Sequence, residues 1–193
     1  IETYTSFDEM LEKADIDLVV LSNYFHEHAP YAIKALERNI HVISECTSNA
    51  TMAQGVALVR AAEKSKAFYM LAENYPQMIF NREMKRLVDG GTLGKILYAE
   101  GEYNHPVAGD DIAFLKEYSY SPEHWRNYLP RSYYLTHSLA PIMWSTGATP
   151  EKVSAFAVFA PLKENATARR VGDRAAIIIT QNDDGSVFKF TGC

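Results

Sequence analysis

Residues 17–65, DLVVLSNYFHEHAPYAIKALERNIHVISECTSNATMAQGVALVRAAEKS, decide the fold. Two short apolar runs, Asp17–Ser22 and Ile40–Ser44, each precede a helical pattern. That alternation marks βαβ units on a parallel sheet. The first run is apolar without a break, as expected of a strand covered on both faces. In the helix that follows, Ala29, Ile33 and Leu36 share one face, and Asn39 stands where a left-handed cap would end it. Thr51 with Gln54 makes a capping box that opens a second helix running to Lys64.

Toward the N-terminus, Ser6 with Glu9 makes another capping box, opening a short helix to about Lys13. Toward the C-terminus, Phe68–Leu71 is a third strand. Pro76 is then expected in the first turn of an amphipathic helix carrying Ile79, Phe80, Met84, Leu87 and Val88, stopped by Gly90 and Gly91. Beyond Gly94 the pattern changes. Ile96–Tyr103, Val153–Phe159, Ala175–Thr180 and Val187–Phe190 read as strands, the last two joined across a turn at Asn182–Gly185. The expected class is α/β, with a partial Rossmann parallel sheet followed by an α+β domain built on a mostly antiparallel open sheet. The expected domains are residues 1–75 and 76–193. Three parallel strands alone leave an open edge, so the chain is expected to be part of a longer protein.

The 193 residues carry 19 basic and 24 acidic side chains, a net charge of -5, with no positive stripe of the kind that neutralises phosphates. Nucleic acid is excluded as a partner on that ground. No run approaches the roughly 20 apolar residues of a bilayer span, so no membrane association is expected. Cys46 and Cys193 lack the spacing of a disulfide framework or a metal site, which favours a reducing, cytoplasmic setting and no bound metal. The Asn-x-Thr triplets at Asn49 and Asn165 are read as chance matches.

In open α/β sheets ligands bind beyond the carboxyl ends of the strands, and those positions are polar here. The junctions read Ser22-Asn23-Tyr24 with His26 and His28, then Glu45-Cys46-Thr47, then Glu73-Asn74-Tyr75. Each residue taken alone is a common turn or capping residue, and three polar junctions in register are stronger. His41 lies inside a strand and reads as structural. By residue type alone, His137 fits either a buried imidazole bonded to a backbone carbonyl or an acid–base group with an unperturbed pKa of about 6.5. Cys46 reads as a small buried thiol. The charged run Lys163–Arg174 reads as a solvated loop.

Residues 17–65 together with LAEN (71–74), VDGGTLGKILYAEG (88–101) and THSLAPIMWSTGATPEKVSA (136–155) resemble the Gfo/Idh/MocA family of nicotinamide-dependent sugar oxidoreductases. The resemblance implies NAD or NADP as cofactor, with Ser22, Asn23, His28, Glu45 and Asn74 as cofactor-binding residues. It implies His137 as the catalytic acid–base group, and Tyr134, three residues earlier, could share its face and orient a hydroxyl. Tyr75, Trp125, Arg126 and Arg131 are candidate substrate contacts, since sugars stack on aromatic rings and bond to guanidinium groups. The family's G-x-G-x-x-G turn has no counterpart in this sequence. Cys46 and Thr47 stand where the family pattern has lysine and proline. Tyr133 and Ala140 replace aspartates beside the histidine, which is therefore expected to act without its usual carboxylates.

The leading expectation is an oxidoreductase moving a hydride to or from a hydroxyl-bearing carbon of a sugar or cyclitol. An NAD-dependent glycoside hydrolase of the same superfamily is the alternative. Its histidine helix resembles Tyr134-Leu135-Thr136-His137-Ser138-Leu139, although Gln77 stands near where a further tyrosine is expected. A non-catalytic cofactor- or sugar-binding homologue is the third. The family's habit of pairing open sheets implies a homo-oligomer, dimer or tetramer.

Overall fold

The structure, a computed structural model, describes residues 2–104, 131–158 and 175–192. The chain divides into two compact units, Ile1–Ala72 and Glu73–Cys193. Trp125, Arg126, Cys193 and the run Lys163–Arg174 lie outside the described residues.

The first unit alternates α1 (Phe7–Lys13), β1 (Leu18–Leu21), α2 (His28–Glu37), β2 (His41–Ser44), α3 (Met52–Lys64) and β3 (Tyr69–Leu71). The strands pair in parallel in the order β1-β2-β3, with Val19 opposite Val42 and Ile43 opposite Met70. Local chemistry explains the boundaries. Ser6 and Thr51 accept hydrogen bonds from the amides of Glu9 and Gln54, satisfying donors that a helix start leaves open. Asn39 takes φ 59° just past α2, the left-handed conformation that asparagine tolerates. His41 Nδ1 accepts from the Phe68 amide at 3.0 Å and its ring stacks on Phe68, which is the structural role expected of it.

The core of this unit joins Leu11 of α1, Val19 and Leu21 of β1, the alanines of α2 with Leu36, Val42 of β2 and Leu58 of α3. These helices use one face of the sheet. Val19 and Leu21 of β1 are buried against these helices, while Leu18 and Val20, on the opposite face, are 38% and 63% exposed. An unbroken apolar run does not by itself say how many layers flank a strand, because that depends on elements far away in the chain.

The second unit contains α4 (Ile79–Asp89), β4 (Tyr98–Tyr103), α5 (Leu135–Thr146), β5 (Pro150–Val158), β6 (Ala175–Asn182) and β7 (Val187–Gly192). The sheet order is β4-β7-β6-β5, antiparallel except for the β4–β7 pair. Gly185 at φ 84° closes the β6–β7 hairpin. Alternate residues of β6 and β7 point to one buried face, where Ile178, Phe188 and Phe190 pack with Ile142 of α5. On the other face Ile177, Ile179, Val187 and Phe156 stay exposed.

Pro76 does not open α4, contrary to the sequence expectation. It lies in a separate 3-10 turn, Tyr75–Gln77, and Met78 is extended before the helix begins at Ile79. The turn is held from α4, where the buried amide of Asn81 donates to the Tyr75 carbonyl at 2.7 Å. Ile79 and Phe80, expected to face a core, are 84% and 60% exposed.

Helix α5 lies unusually close to β4. A Cβ on Gly101 would drive into the Ser138 carbonyl oxygen and touch Ile142 Cδ1. Gly101→Ala is therefore expected to destabilise the second unit by about 1–3 kcal/mol through overpacking against backbone that cannot move aside. Chemical denaturation of the full-length variant checks this, and an unchanged midpoint would show that α5 can retreat without loss.

Candidate active site

The close approach of α5 to β4 sets the geometry of a polar centre within the second unit. His137 sits in the first turn of α5, Tyr103 ends β4 two residues past Gly101, and Glu73 and Tyr75 flank the start of the 3-10 turn. His137 Nδ1 lies 2.7 Å from Oε1 of Glu73, with the two side chains 10% and 6% exposed. The same carboxylate oxygen accepts from the Tyr75 amide at 3.1 Å. The imidazole is boxed by aromatic rings. Tyr75 stacks on it at 4.7 Å between centroids, Tyr134 at 5.5 Å, and Tyr103 meets it edge-on at 4.5 Å.

Burial pushes the Glu73 carboxyl upward, but hydrogen bonds from His137 and the Tyr75 amide, the nearby Thr136 hydroxyl and the His137 charge outweigh it and hold the group below its ordinary value of 4.5. Glu73 is thus an ionised, acceptor-only carboxylate at neutral pH. It fixes the tautomer of its neighbour: Nδ1 of His137 carries the proton and donates, so in the neutral ring Nε2 carries the lone pair. A carboxylate that orients an imidazole in this way makes it a competent acceptor and donor of a substrate hydroxyl proton. Tyr133 and Ala140 leave His137 without the family's usual carboxylates, as the sequence implies, and a different one takes their place. Glu73 supplies it from 64 positions away.

Tyr134 is the last residue of the 3-10 turn Arg131–Tyr134 that leads into α5, and its ring packs on His137 as the sequence spacing suggested. Arg131 opens that turn, with only its backbone described. Tyr103 was not singled out from the sequence, because an alternating strand offers no signal for which of its residues faces a distant helix. Asn74 is exposed beside Glu73, and Gln77 ends the 3-10 turn, also exposed.

In the first unit, Ser22 and Glu45 are exposed at the carboxyl ends of β1 and β2, and Cys46 is buried. Asn23 donates to Glu27 at 3.3 Å, while its Oδ1 is buried without a hydrogen-bond partner. His28 is fully buried. Its Nδ1 lies 2.8 Å from the Thr47 carbonyl and its Nε2 3.0 Å from the Asn23 carbonyl, so it ties the loop after β1 to the loop after β2. No helix among the described residues is long and apolar enough to cross a membrane.

Comparison with known proteins places these features in context. Residues 1–73 match the model of the GFO_IDH_MocA oxidoreductase family, described as an NAD-binding Rossmann fold. The chain is 31% identical over 144 residues to glycosyl hydrolase family 109 protein 1 of Shewanella sp. (strain ANA-3), covering 71% of this chain and 30% of that protein. It is 27% identical over 139 residues to a glycosyl hydrolase family 109 protein of Saccharopolyspora erythraea, with 70% and 30% covered. The chain thus spans less than a third of the length of these curated relatives. Among solved structures, myo-inositol 2-dehydrogenase from Lactobacillus plantarum superposes with a TM-score of 0.76 at 19% identity, over 98% of this chain and 54% of the other. The WlbA dehydrogenase of Bordetella pertussis, solved with NADH and UDP-GlcNAcA, gives 0.76 at 17% identity, over 99% and 52%. The likeness to these structures establishes the fold.

Proposed function

We propose, from the premise that residues 1–73 belong to the Gfo/Idh/MocA oxidoreductase family, that the full-length protein is an NAD(P)-dependent oxidoreductase acting at a hydroxyl-bearing carbon of a sugar or cyclitol. The observation that carries this reading is the Glu73–His137 pair inside its ring of tyrosines.

The residues of the first unit suit the ribose side of a dinucleotide. The orphaned Oδ1 of Asn23 is an acceptor lacking a donor, and Ser22 and Glu45 present polar groups at strand ends. Ser22, Asn23, Glu45 and Asn74 would hold the cofactor, and His28 would act through the loops it ties together. A bound nicotinamide supplies the hydride acceptor or donor. What the protein supplies is proton handling: Nε2 of His137 takes up the hydroxyl proton, and Glu73 stabilises the imidazolium that results. The tyrosine rings exclude water and favour a cationic imidazole across their faces. Tyr75 and Tyr134, and outside the described residues Trp125 and Arg126, are the candidate groups for holding a carbohydrate, together with Arg131.

A second reading has its own support. The relatives named glycosyl hydrolase family 109 and the segment Tyr134–Leu139 favour a glycosidase in which oxidation of the sugar is transient and no reduced cofactor accumulates. Both readings use the same His137 proton transfer. The full-length protein assayed with NAD and a panel of polyols and aryl glycosides separates them. Net NADH formation on a polyol or free sugar is the expected result; release of the aryl group without NADH would replace the first reading by the second, and inactivity on both would remove both. The exposed apolar face of the second sheet, with Phe156 paired to Ile177 in register, suits association of copies into a dimer or tetramer, and a cytoplasmic setting accords with the cysteine usage.

A further inference from the structure

The Glu73 carboxylate is held unevenly. Oε1 receives two donors, the His137 ring and the Tyr75 amide, whereas Oε2 is buried without a hydrogen-bond partner. One residue before His137, the hydroxyl of Thr136 is equally buried and equally without one. A threonine in a helix usually returns its hydroxyl to a carbonyl three or four residues back, and Thr136 does not. Two buried polar atoms of complementary kind, left over in one small centre, each forfeit a hydrogen bond that the other could make.

We propose that Thr136 is a positioning residue whose hydroxyl donates to Oε2 of Glu73, fixing the rotation of the carboxylate and thereby the aim of the His137 ring. The inference rests on the reading of His137 as the acid–base group and extends it by one partner. The Thr136 hydroxyl is near enough to Glu73 to help hold the carboxyl below its ordinary value, although neither it nor Oε2 completes a hydrogen bond in the structure. The gain from satisfying a buried carboxylate favours that contact. With Oε1 occupied by two donors, Oε2 is also where a proton would settle if Glu73 were protonated, so the threonine governs the charge state of the pair. Among the described residues of the second unit, the titratable groups facing Glu73 and its partner ring are His137 on α5, Tyr75 in the 3-10 turn, Tyr103 on β4 and Tyr134 before α5.

The test uses the full-length protein with Thr136→Val, which removes the hydroxyl at constant shape, and Thr136→Ser, which restores it. Titration of the Glu73 carboxyl by difference infrared spectroscopy, with Glu73→Gln identifying its band, reads the contact without reference to turnover. In Thr136→Val the protonation midpoint is expected to rise by about one pH unit and kcat/KM to fall about 10- to 100-fold, the worth of a hydrogen bond to a charged group. Thr136→Ser is expected to recover both. If the valine variant does not fold, Thr136→Ala carries the same comparison. An unshifted carboxyl titration overturns the role of Thr136 while leaving His137 as acid–base group. A shifted titration in a protein inactive on every sugar supports the threonine contact and discards the functional reading instead.

Discussion

Full-length protein carrying His137→Asn is expected to lose about 10²- to 10⁴-fold in kcat, the usual contribution of a positioned general acid–base group. Asparagine is chosen because its amide can still donate to Oε1 of Glu73, so the carboxylate keeps a partner and the fold keeps its packing. The thermal midpoint should therefore move little while turnover collapses. Substrate binding that depends on the surrounding tyrosines should survive, leaving KM within a few-fold of wild type. A variant with wild-type kcat on every active substrate would remove the imidazole from the chemistry and leave the aromatic ring around it as a binding feature alone.

Glu73→Gln should give the second large effect, and it separates charge from shape. The glutamine fills the same space, but it no longer supplies the negative charge that favours the imidazolium. The Glu73 carboxyl is held below 4.5 in part by the His137 charge, and the coupling acts equally in reverse. Loss of the carboxylate thus makes His137 easier to deprotonate. The limb of the kcat/KM profile that requires neutral His137 as base should move to lower pH, and kcat/KM at its plateau should fall on the order of 10²-fold as the tautomer and ring orientation loosen.

Stability should follow the same linkage. A carboxyl whose folded value lies below its unfolded one contributes stability that is present above 4.5 and lost as pH falls through the folded value. Wild type should exceed the glutamine variant by about 2 kcal/mol at neutral pH, and the gap should close in acid. Equal unfolding curves at neutral pH would show that the pair does not stabilise the fold, and an unmoved activity profile that it is not catalytic.

Much of the fold is legible in local sequence. The boundaries of α1 and α3 follow from Ser6, Glu9, Thr51 and Gln54, and the end of α2 from Asn39, because a helix cap is satisfied by atoms within four residues. The hairpin across Gly185 is equally local. The parallel sense of β1, β2 and β3 follows from helices that leave no room for a hairpin between them. Even the polar strand ends, among them Glu73 and Asn74, are visible once the layering is recognised.

Only the tertiary structure decided which of these residues meet. Whether a strand is covered on one face or two, and whether Ile79 and Phe80 lie in a core or in water, depends on elements tens of residues away. The sequence shows that Tyr133 and Ala140, on the segment of His137 itself, bring no carboxylate; the one it receives comes from Glu73, 64 positions away. That pairing exists because Gly101 lacks a side chain and lets α5 approach β4, bringing His137 against Tyr103 while the turn at Pro76 presents Glu73. Spacing along a chain encodes neighbours within a helix or strand. Contacts across the fold are selected by the packing of the whole unit, and no local pattern records them.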